Sequence, residues 1–175
     1  MKLLRNIFIG LGALLLTVSC NKEKAQTSSL RIKMTDAPGD YDTVNVEVLQ
    51  VSVHYDNVGW IPLNTDAGNY DLLLLQNDVT TLLANNDTLP AGHITQMRLL
   101  LGNNNYIVKD SIDVYDLEVP SGTQTGIKIP VNYTLAPNHD YELLIDFDAD
   151  KSIVEKGNGR YSLKPVIKVE YINQI

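Results

Sequence analysis

The fold is decided by the segment Leu30-Arg31-Ile32-Lys33-Met34-Thr35-Asp36-Ala37-Pro38-Gly39-Asp40. Its first half alternates apolar and polar residues with a period of two, so in an extended chain the apolar side chains point to one face. Its second half is a turn, because Pro38 fixes φ and Gly39 permits positive φ. A strand that buries one face and ends in a turn is typical of a β-sandwich.

The same pattern continues along the chain. Turn residues return about every ten positions, and no long stretch has the i, i+3, i+4, i+7 spacing of an amphipathic helix. We therefore predict an all-β fold: a single antiparallel β-sandwich, immunoglobulin-like or transthyretin-like, of about eight strands with at most one short helical turn. The helical turn is expected at 79–84, whereas the apolar run 70–75 is predicted to be a strand buried on both faces.

A change of parity marks one strand as irregular. Val44, Val46 and Val48 share one face of an extended chain, but the following apolar residues, Val51 and Val53, have the opposite parity. A parity change inside one run is what a β-bulge, or a strand that passes from one sheet to another, produces. We expect one of these features near residue 49.

Composition limits the class of partner. The chain has 175 residues, of which 44% are hydrophobic and 20% charged, as in an ordinary globular domain. It carries 14 basic and 21 acidic side chains, a net charge of −7. A surface that follows phosphates needs clustered Lys and Arg, which the sequence lacks, so nucleic acid is not an expected partner.

Residues 1–19 are predicted to be a lipoprotein signal peptide. Two basic residues precede the apolar run 7–18, which is shorter than the roughly 20 residues that a membrane-spanning helix needs. No Ala-x-Ala cleavage site ends the run. Instead, Thr17-Val18-Ser19-Cys20 resembles the lipobox of bacterial lipoproteins, with Thr17 in place of the usual leucine. We predict cleavage before Cys20 and lipidation of Cys20, which is the only cysteine.

This assignment predicts the domain organisation and the location. Residues 20–29 are expected to be the lipidated cysteine and a flexible linker, and residues 30–175 the β-sandwich domain. Two or three acyl chains hold a protein stably, so the membrane is an expected partner through the N-terminal lipid. The predicted location is the cell envelope, as an outer membrane lipoprotein. Charged residues at 22–24 resemble surface-export signals, and both surface exposure and a simple spacer remain open.

The densest acidic motif is Asp146-Phe147-Asp148-Ala149-Asp150. In an extended strand its three carboxylates lie on one face and repel each other unless a cation, a basic side chain or backbone N–H groups compensate them. Calcium prefers several oxygen ligands, so Asp146, Asp148 and Asp150 are candidate metal ligands and calcium is the candidate cofactor. Alternatively, these aspartates accept hydrogen bonds from the backbone at a strand end, with Lys151 nearby.

The sequence contains no Gly-x-Ser-x-Gly elbow, Walker loop, His-Glu-x-x-His or Gly-x-Gly-x-x-Gly motif. His54, His93 and His139 are far apart and lack the spacing of a zinc site. A hydrolase with paired carboxylates remains open, because its two acids can be distant in the chain. The single tryptophan, Trp60, either stacks on a sugar or packs in the core.

Several motifs occur in a fixed order along the chain. They are Met34-Thr35-Asp36-Ala37-Pro38, Val44-Asn45-Val46, Tyr70-Asp71-Leu72-Leu73, Leu89-Pro90-Ala91-Gly92, Gln96-Met97-Arg98-Leu99, Val119-Pro120-Ser121-Gly122, Asp146-Phe147-Asp148-Ala149, Lys151-Ser152-Ile153-Val154 and Leu163-Lys164-Pro165-Val166-Ile167. As an ordered set, from Leu30 to about Val169, they resemble the bacterial lipoprotein family known as domain of unknown function 4382. The resemblance implies one exported, often lipid-anchored β-sandwich domain. It implies no reaction and no functional residues.

We therefore expect a lipid-anchored binding or adhesion module of the cell envelope, without catalytic activity, whose ligand is a glycan or an envelope protein. Loops at the two ends of a sandwich carry recognition on a rigid scaffold. Two alternatives remain open. One is a calcium-dependent binding module that uses Asp146, Asp148 and Asp150, and the other is a hydrolase that uses paired carboxylates.

Overall fold

A computed structural model describes residues 26–120 and 125–175. The predicted signal peptide and Cys20 lie outside these ranges. Within them, two β-sheets of four and nine strands pack around one hydrophobic core. The prediction of an all-β fold is confirmed.

The described residues contain thirteen strands rather than about eight. In chain order they are β1 (Thr27–Thr35), β2 (Thr43–Tyr55), β3 (Gly59–Pro62), β4 (Gly68–Asp71), β5 (Thr81–Pro90), β6 (Gly92–Leu101), β7 (Tyr106–Lys109), β8 (Asp113–Glu118), β9 (Ile127–Leu135), β10 (Asp140–Phe147), β11 (Ile153–Gly157), β12 (Arg160–Leu163) and β13 (Ile167–Gln174). The number of strands is higher than predicted because short interruptions divide runs that look continuous in the sequence. The interruption around Pro165, which has no N–H to donate, separates β12 from β13.

The four-stranded sheet is mixed, with the order β13-β10-β1-β5. β1 and β10 are parallel over seven residue pairs, from Ser29 opposite Asp140 to Thr35 opposite Asp146. The prediction of a purely antiparallel sandwich is therefore wrong. Alternation fixes which face of a strand is buried, but it does not fix the direction in which a distant strand pairs. Parallel strands end at the same edge of a sheet, so the residues that follow β1 and β10 meet.

The nine-stranded sheet is built on β2. Asn45 pairs with Asp71 of β4 and with Tyr106 of β7, so β4 and β7 lie along opposite edges of β2. β3 pairs with the second half of β2, and so does β6, whose far edge pairs with β9. β8, β12 and β11 follow beyond β7. The expected bulge is confirmed, because the register between β2 and β6 shifts between Val48 and Gln50.

The alternating segment at the start of the domain behaves as predicted. Leu30, Ile32 and Met34 of β1 are fully buried in the core. β1 nevertheless begins at Thr27, three residues before the expected start of the domain at Leu30. The Ser29 N–H donates to the carbonyl oxygen of His139 at 3.0 Å. Only residues 21–26 therefore separate Cys20 from the sheet.

The predicted strand at 70–75 and the predicted helical turn at 79–84 are both wrong. Residues 72–75 form a 3-10 turn, because the Asp71 side chain accepts a hydrogen bond from Leu73 N at 3.2 Å and caps the turn. Leu74 is 72% exposed, which a strand buried on both faces would not allow. Residues 79–84 largely belong to β5, whereas Ala149–Ser152 forms an α-helical turn. No helix in the described part of the chain is long and apolar enough to cross a bilayer.

Phe147 at the end of β10 is fully buried, so removing its ring should leave a cavity in the core. We expect Phe147→Ala to lower the free energy of unfolding by about 3–5 kcal/mol in urea denaturation. The matched control is Ile112→Ala between β7 and β8, where the side chain is 80% exposed and the change should stay within about 0.5 kcal/mol. Equal effects of the two substitutions would contradict the position of the core.

Candidate functional site

A groove lies on the outer face of the four-stranded sheet, where β1 and β10 end. Thr35 and Leu144 on its floor alternate with fully buried residues, so their side chains point away from the core. The groove has a volume of about 610 Å³. Its lining consists of residues 35–38, of Asn77, Asp78 and Thr80, and of Leu144, Asp146, Glu170 and Tyr171.

The segment 75–79 forms one wall of the groove. Asn77 and Asp78 have φ values of 56° and 66°, and a backbone hydrogen bond of 3.3 Å closes the turn around them. Two successive positive φ values define a type I′ turn, which Asn and Asp favour. Thr35 Oγ1 lies 2.9 Å from each of two carbonyl oxygens of this segment and ties the wall to the end of β1.

Asp36 follows β1 directly and is only 5% exposed. Its Oδ1 accepts a hydrogen bond from Ala149 N at 2.8 Å, whereas its Oδ2 is buried and has no hydrogen-bond partner among the described residues. Burial raises the pKa of the Asp36 carboxyl to about 7, and the negative charges of Asp146 and Asp148 add to this effect. The Ala149 hydrogen bond opposes it, and so does the nearby amide of Gln76, whose Nε2 is buried without a close hydrogen-bond partner in the described ranges. Asp36 is therefore partly protonated at neutral pH.

Asp146 stands opposite Thr35 in the parallel register and is also 5% exposed. Its Oδ2 lies 3.3 Å from Lys168 Nζ, and the same ammonium lies 2.7 Å from Glu170 Oε1. Asp146 Oδ1 is buried without a hydrogen-bond partner in the described ranges. Asp36 and Asp146 thus form a pair of buried acids beside the groove.

Asp148 has a structural role. It is the N-cap of the helical turn Ala149–Ser152, and its Oδ1 accepts a hydrogen bond from Lys151 N at 3.0 Å. Its Oδ2 lies 2.6 Å from Lys151 Nζ. Burial raises the pKa of Asp148, but the hydrogen bonds and the charge of Lys151 outweigh burial and lower it below its usual value.

The three aspartates of the acidic motif do not share one strand face. β10 ends at Phe147, so Asp148 caps a helical turn and Asp150 lies exposed within it. Across residues 26–120 and 125–175, no group of three or more His, Cys, Asp or Glu side chains is arranged to hold a metal ion. The calcium hypothesis for Asp146, Asp148 and Asp150 stays a prediction. The backbone-capping alternative describes Asp148 correctly.

Sequence analysis did not single out Asp36 as the partner of Asp146. The two acids come near each other through a pairing between strands more than one hundred residues apart, which also brings Ala149 N to Asp36 Oδ1. Taken alone, Asp36 looks like an ordinary turn residue. The signal that could have indicated a role for Asp36 is the Met34–Pro38 motif, which contains Asp36 and contributes to the family resemblance.

Trp60 lies outside the groove, on the larger sheet. It is half-buried, its ring is 5.1 Å from that of His54, and the Arg98 guanidinium lies 4.5 Å from its centroid. This cation–π contact covers a face of the ring. Trp60 is therefore neither a core residue nor an open sugar-stacking platform.

The raised pKa of Asp36 makes stability depend on pH. Between about pH 4 and 7 the folded state keeps a proton that the unfolded state has lost, so the free energy of unfolding should fall as pH rises through this window. In urea denaturation we expect a loss of up to about 2 kcal/mol between pH 5.5 and 8, since one pKa unit corresponds to about 1.4 kcal/mol.

Asp36→Asn should remove this loss, because the amide oxygen can still accept the Ala149 hydrogen bond and the side chain no longer ionises. Asp150→Asn is the control, since Asp150 is exposed, and this variant should keep the wild-type pH dependence. If the free energy of unfolding had the same pH dependence in wild type and in Asp36→Asn, burial would not raise the pKa of Asp36.

Comparison with known proteins identifies the family. The family model described as domain of unknown function (DUF4382) matches residues 27–165, which include β1, β10 and both buried acids. No curated protein and no solved structure shows a significant match. The matched segment covers most of the chain, so the protein belongs to the DUF4382 family.

Proposed function

We propose that this protein is a lipid-anchored binding or adhesion module of the cell envelope, without catalytic activity, and that the groove is its binding surface. The observation that carries this proposal is the pair of buried acids on the groove, each with one oxygen that lacks a hydrogen-bond partner in the described ranges. Buried polar atoms are normally paired, so two unpaired acid oxygens beside one groove require an explanation, and a bound ligand or ion is one.

The proposed anchor and the groove belong to opposite ends of β1. Seven peptide units separate Cys20 from Thr27, so the two residues can lie at most roughly 25 Å apart. β1 then carries the chain about 30 Å further, to Asp36. A lipid on Cys20 is therefore attached to the end of β1 that lies opposite the groove. We propose the outer membrane as the location, with surface exposure if the lipid is in the outer leaflet.

The lining of the groove suits a polar ligand. Besides its acids it presents Asn77, Thr80 and the edge of Tyr171, whose hydroxyl donates to Glu142 at 2.8 Å. Amides, hydroxyls and carboxylates next to an aromatic ring can hydrogen-bond a glycan or a polar segment of an envelope protein. In immunoglobulin variable domains, recognition loops likewise lie at one end of the sandwich.

Two other functions are weaker candidates. A hydrolase would use the separated pKa values of neighbouring acids, and the raised pKa of Asp36 next to Asp146 fits that pattern. Proton transfer requires direct contact with the substrate, which the solvent-shielded oxygens of both acids do not offer, whereas the negative charge of the two acids still acts on a ligand in the groove. Binding is therefore favoured. For a calcium-dependent module, an increase in Tm at millimolar calcium that Asp148→Asn abolishes would be the supporting result.

The anchor is tested by metabolic labelling with palmitate. Wild type should incorporate the label and partition into detergent, whereas Cys20→Ala should do neither because it lacks the thiol that is acylated. A wild-type protein that keeps residues 1–19 and remains unlabelled would contradict the anchor.

The binding surface is tested on a glycan array, followed by titration of any glycan that binds. Tyr171→Ala removes a wall of the groove and should weaken that binding at least tenfold, while Ile112→Ala, a distant exposed substitution, should leave it unchanged. Binding that survives Tyr171→Ala at full strength would place the binding surface elsewhere.

A further inference from the structure

One ammonium group already lies beside the groove. Lys168 Nζ bridges Asp146 and Glu170, at 3.3 Å and 2.7 Å, although the Lys168 side chain is 65% exposed. An exposed lysine is flexible, and such a surface ion pair contributes little to stability. The position between Asp146 Oδ2 and Glu170 Oε1 is therefore a site that accepts an ammonium group and that its present occupant can leave.

Lys168 does not balance the negative charge of the groove. The lining contains four acids, Asp36, Asp78, Asp146 and Glu170. The other cations near this end of the sheet are paired as well, Lys33 with Glu142 and Lys151 with Asp148. Asp36 and Asp146 are each 95% buried, and each has an oxygen with no hydrogen-bond partner in the described part of the chain. Uncompensated buried charge is unfavourable, so this groove attracts a further positive charge.

The space around this position is far larger than one ammonium group requires. The groove volume of about 610 Å³ accommodates a sugar of two or more rings, and Asn77, Thr80 and Tyr171 offer polar partners for its hydroxyl groups. A ligand that combines hydroxyl groups with a primary amine matches both features.

We propose that the groove binds a glycan that carries an unacetylated amino sugar, whose ammonium group replaces that of Lys168 between Asp146 and Glu170. The inference rests on the groove being the binding surface proposed above. Lys168 is then an internal competitor, because its ammonium must leave when the ligand enters.

Calorimetric titration of the full-length, detergent-solubilised protein tests this inference. The probes are the glucosamine disaccharide, with two free amines, and its N-acetylated counterpart, which has the same rings but no charge. We expect the free amine to bind at least tenfold more tightly. The simple diamine cadaverine should bind at least tenfold more weakly than the glucosamine disaccharide, because it lacks the hydroxyl groups.

Three substitutions examine the mechanism. Lys168→Gln should strengthen binding of the glucosamine disaccharide severalfold, and Asp146→Asn should weaken it at least tenfold. The matched control is Lys151→Gln, because Lys151 is an equally exposed lysine paired with Asp148 outside the groove lining, and it should leave the affinity unchanged. Lys168 is mostly exposed, so its replacement should not disturb folding, which far-UV circular dichroism and Tm will check for each variant.

Equal affinity for the free and the acetylated disaccharide would overturn the inference, and so would Lys168→Gln binding no better than wild type. Binding of cadaverine as tight as that of the glucosamine disaccharide would overturn the requirement for a sugar. If neutral glycans bind in the groove and Tyr171→Ala abolishes their binding, the inference fails while the proposed function stands. If no glycan or envelope protein binds there, the proposed function fails as well.

Discussion

The parallel pairing of β1 with β10 brings the groove and its two buried acids together. Strands that run in the same direction end at the same edge, so residues more than one hundred positions apart become neighbours. Asp36 meets the Asp146 segment only through this register, and an antiparallel pairing would place it at the start of β10. The core on one face of these strands and the groove on the other follow from the same alternation.

Burial makes the negative charges of Asp36 and Asp146 energetically costly. Two acids enclosed at a strand edge raise each other's energy when both are charged, and the chain reduces that cost with Ala149 N at Asp36 and with Lys168 at Asp146. The compensation is incomplete, since one oxygen of each acid has no hydrogen-bond partner in the described ranges. Protonation of Asp36 and binding of a cation are two ways to reduce the remaining charge. A stability cost at neutral pH and an affinity for positively charged ligands thus have one origin.

The sequence predicted features that depend on local pattern. Alternation located the buried face of Leu30, Ile32 and Met34, the parity change located the bulge after Val48, and ordered motifs indicated the family. Features that depend on distant pairing or on a single cap were missed. The run 70–75 looks equally apolar as a strand or as a 3-10 turn, and the cap by Asp71 decides between them. The groove required the parallel register, which side-chain periodicity cannot reveal.

Asp36 and Asp146 share a buried site whose negative charge is incompletely compensated. Carboxyl carbon NMR tests this most directly, by titrating Asp36 in wild type and in Asp146→Asn. We predict a pKa of about 7 for Asp36 in wild type and a lower value in the variant, where the charge of Asp146 is absent. An Asp36 pKa near 3.8 in both proteins would contradict the account.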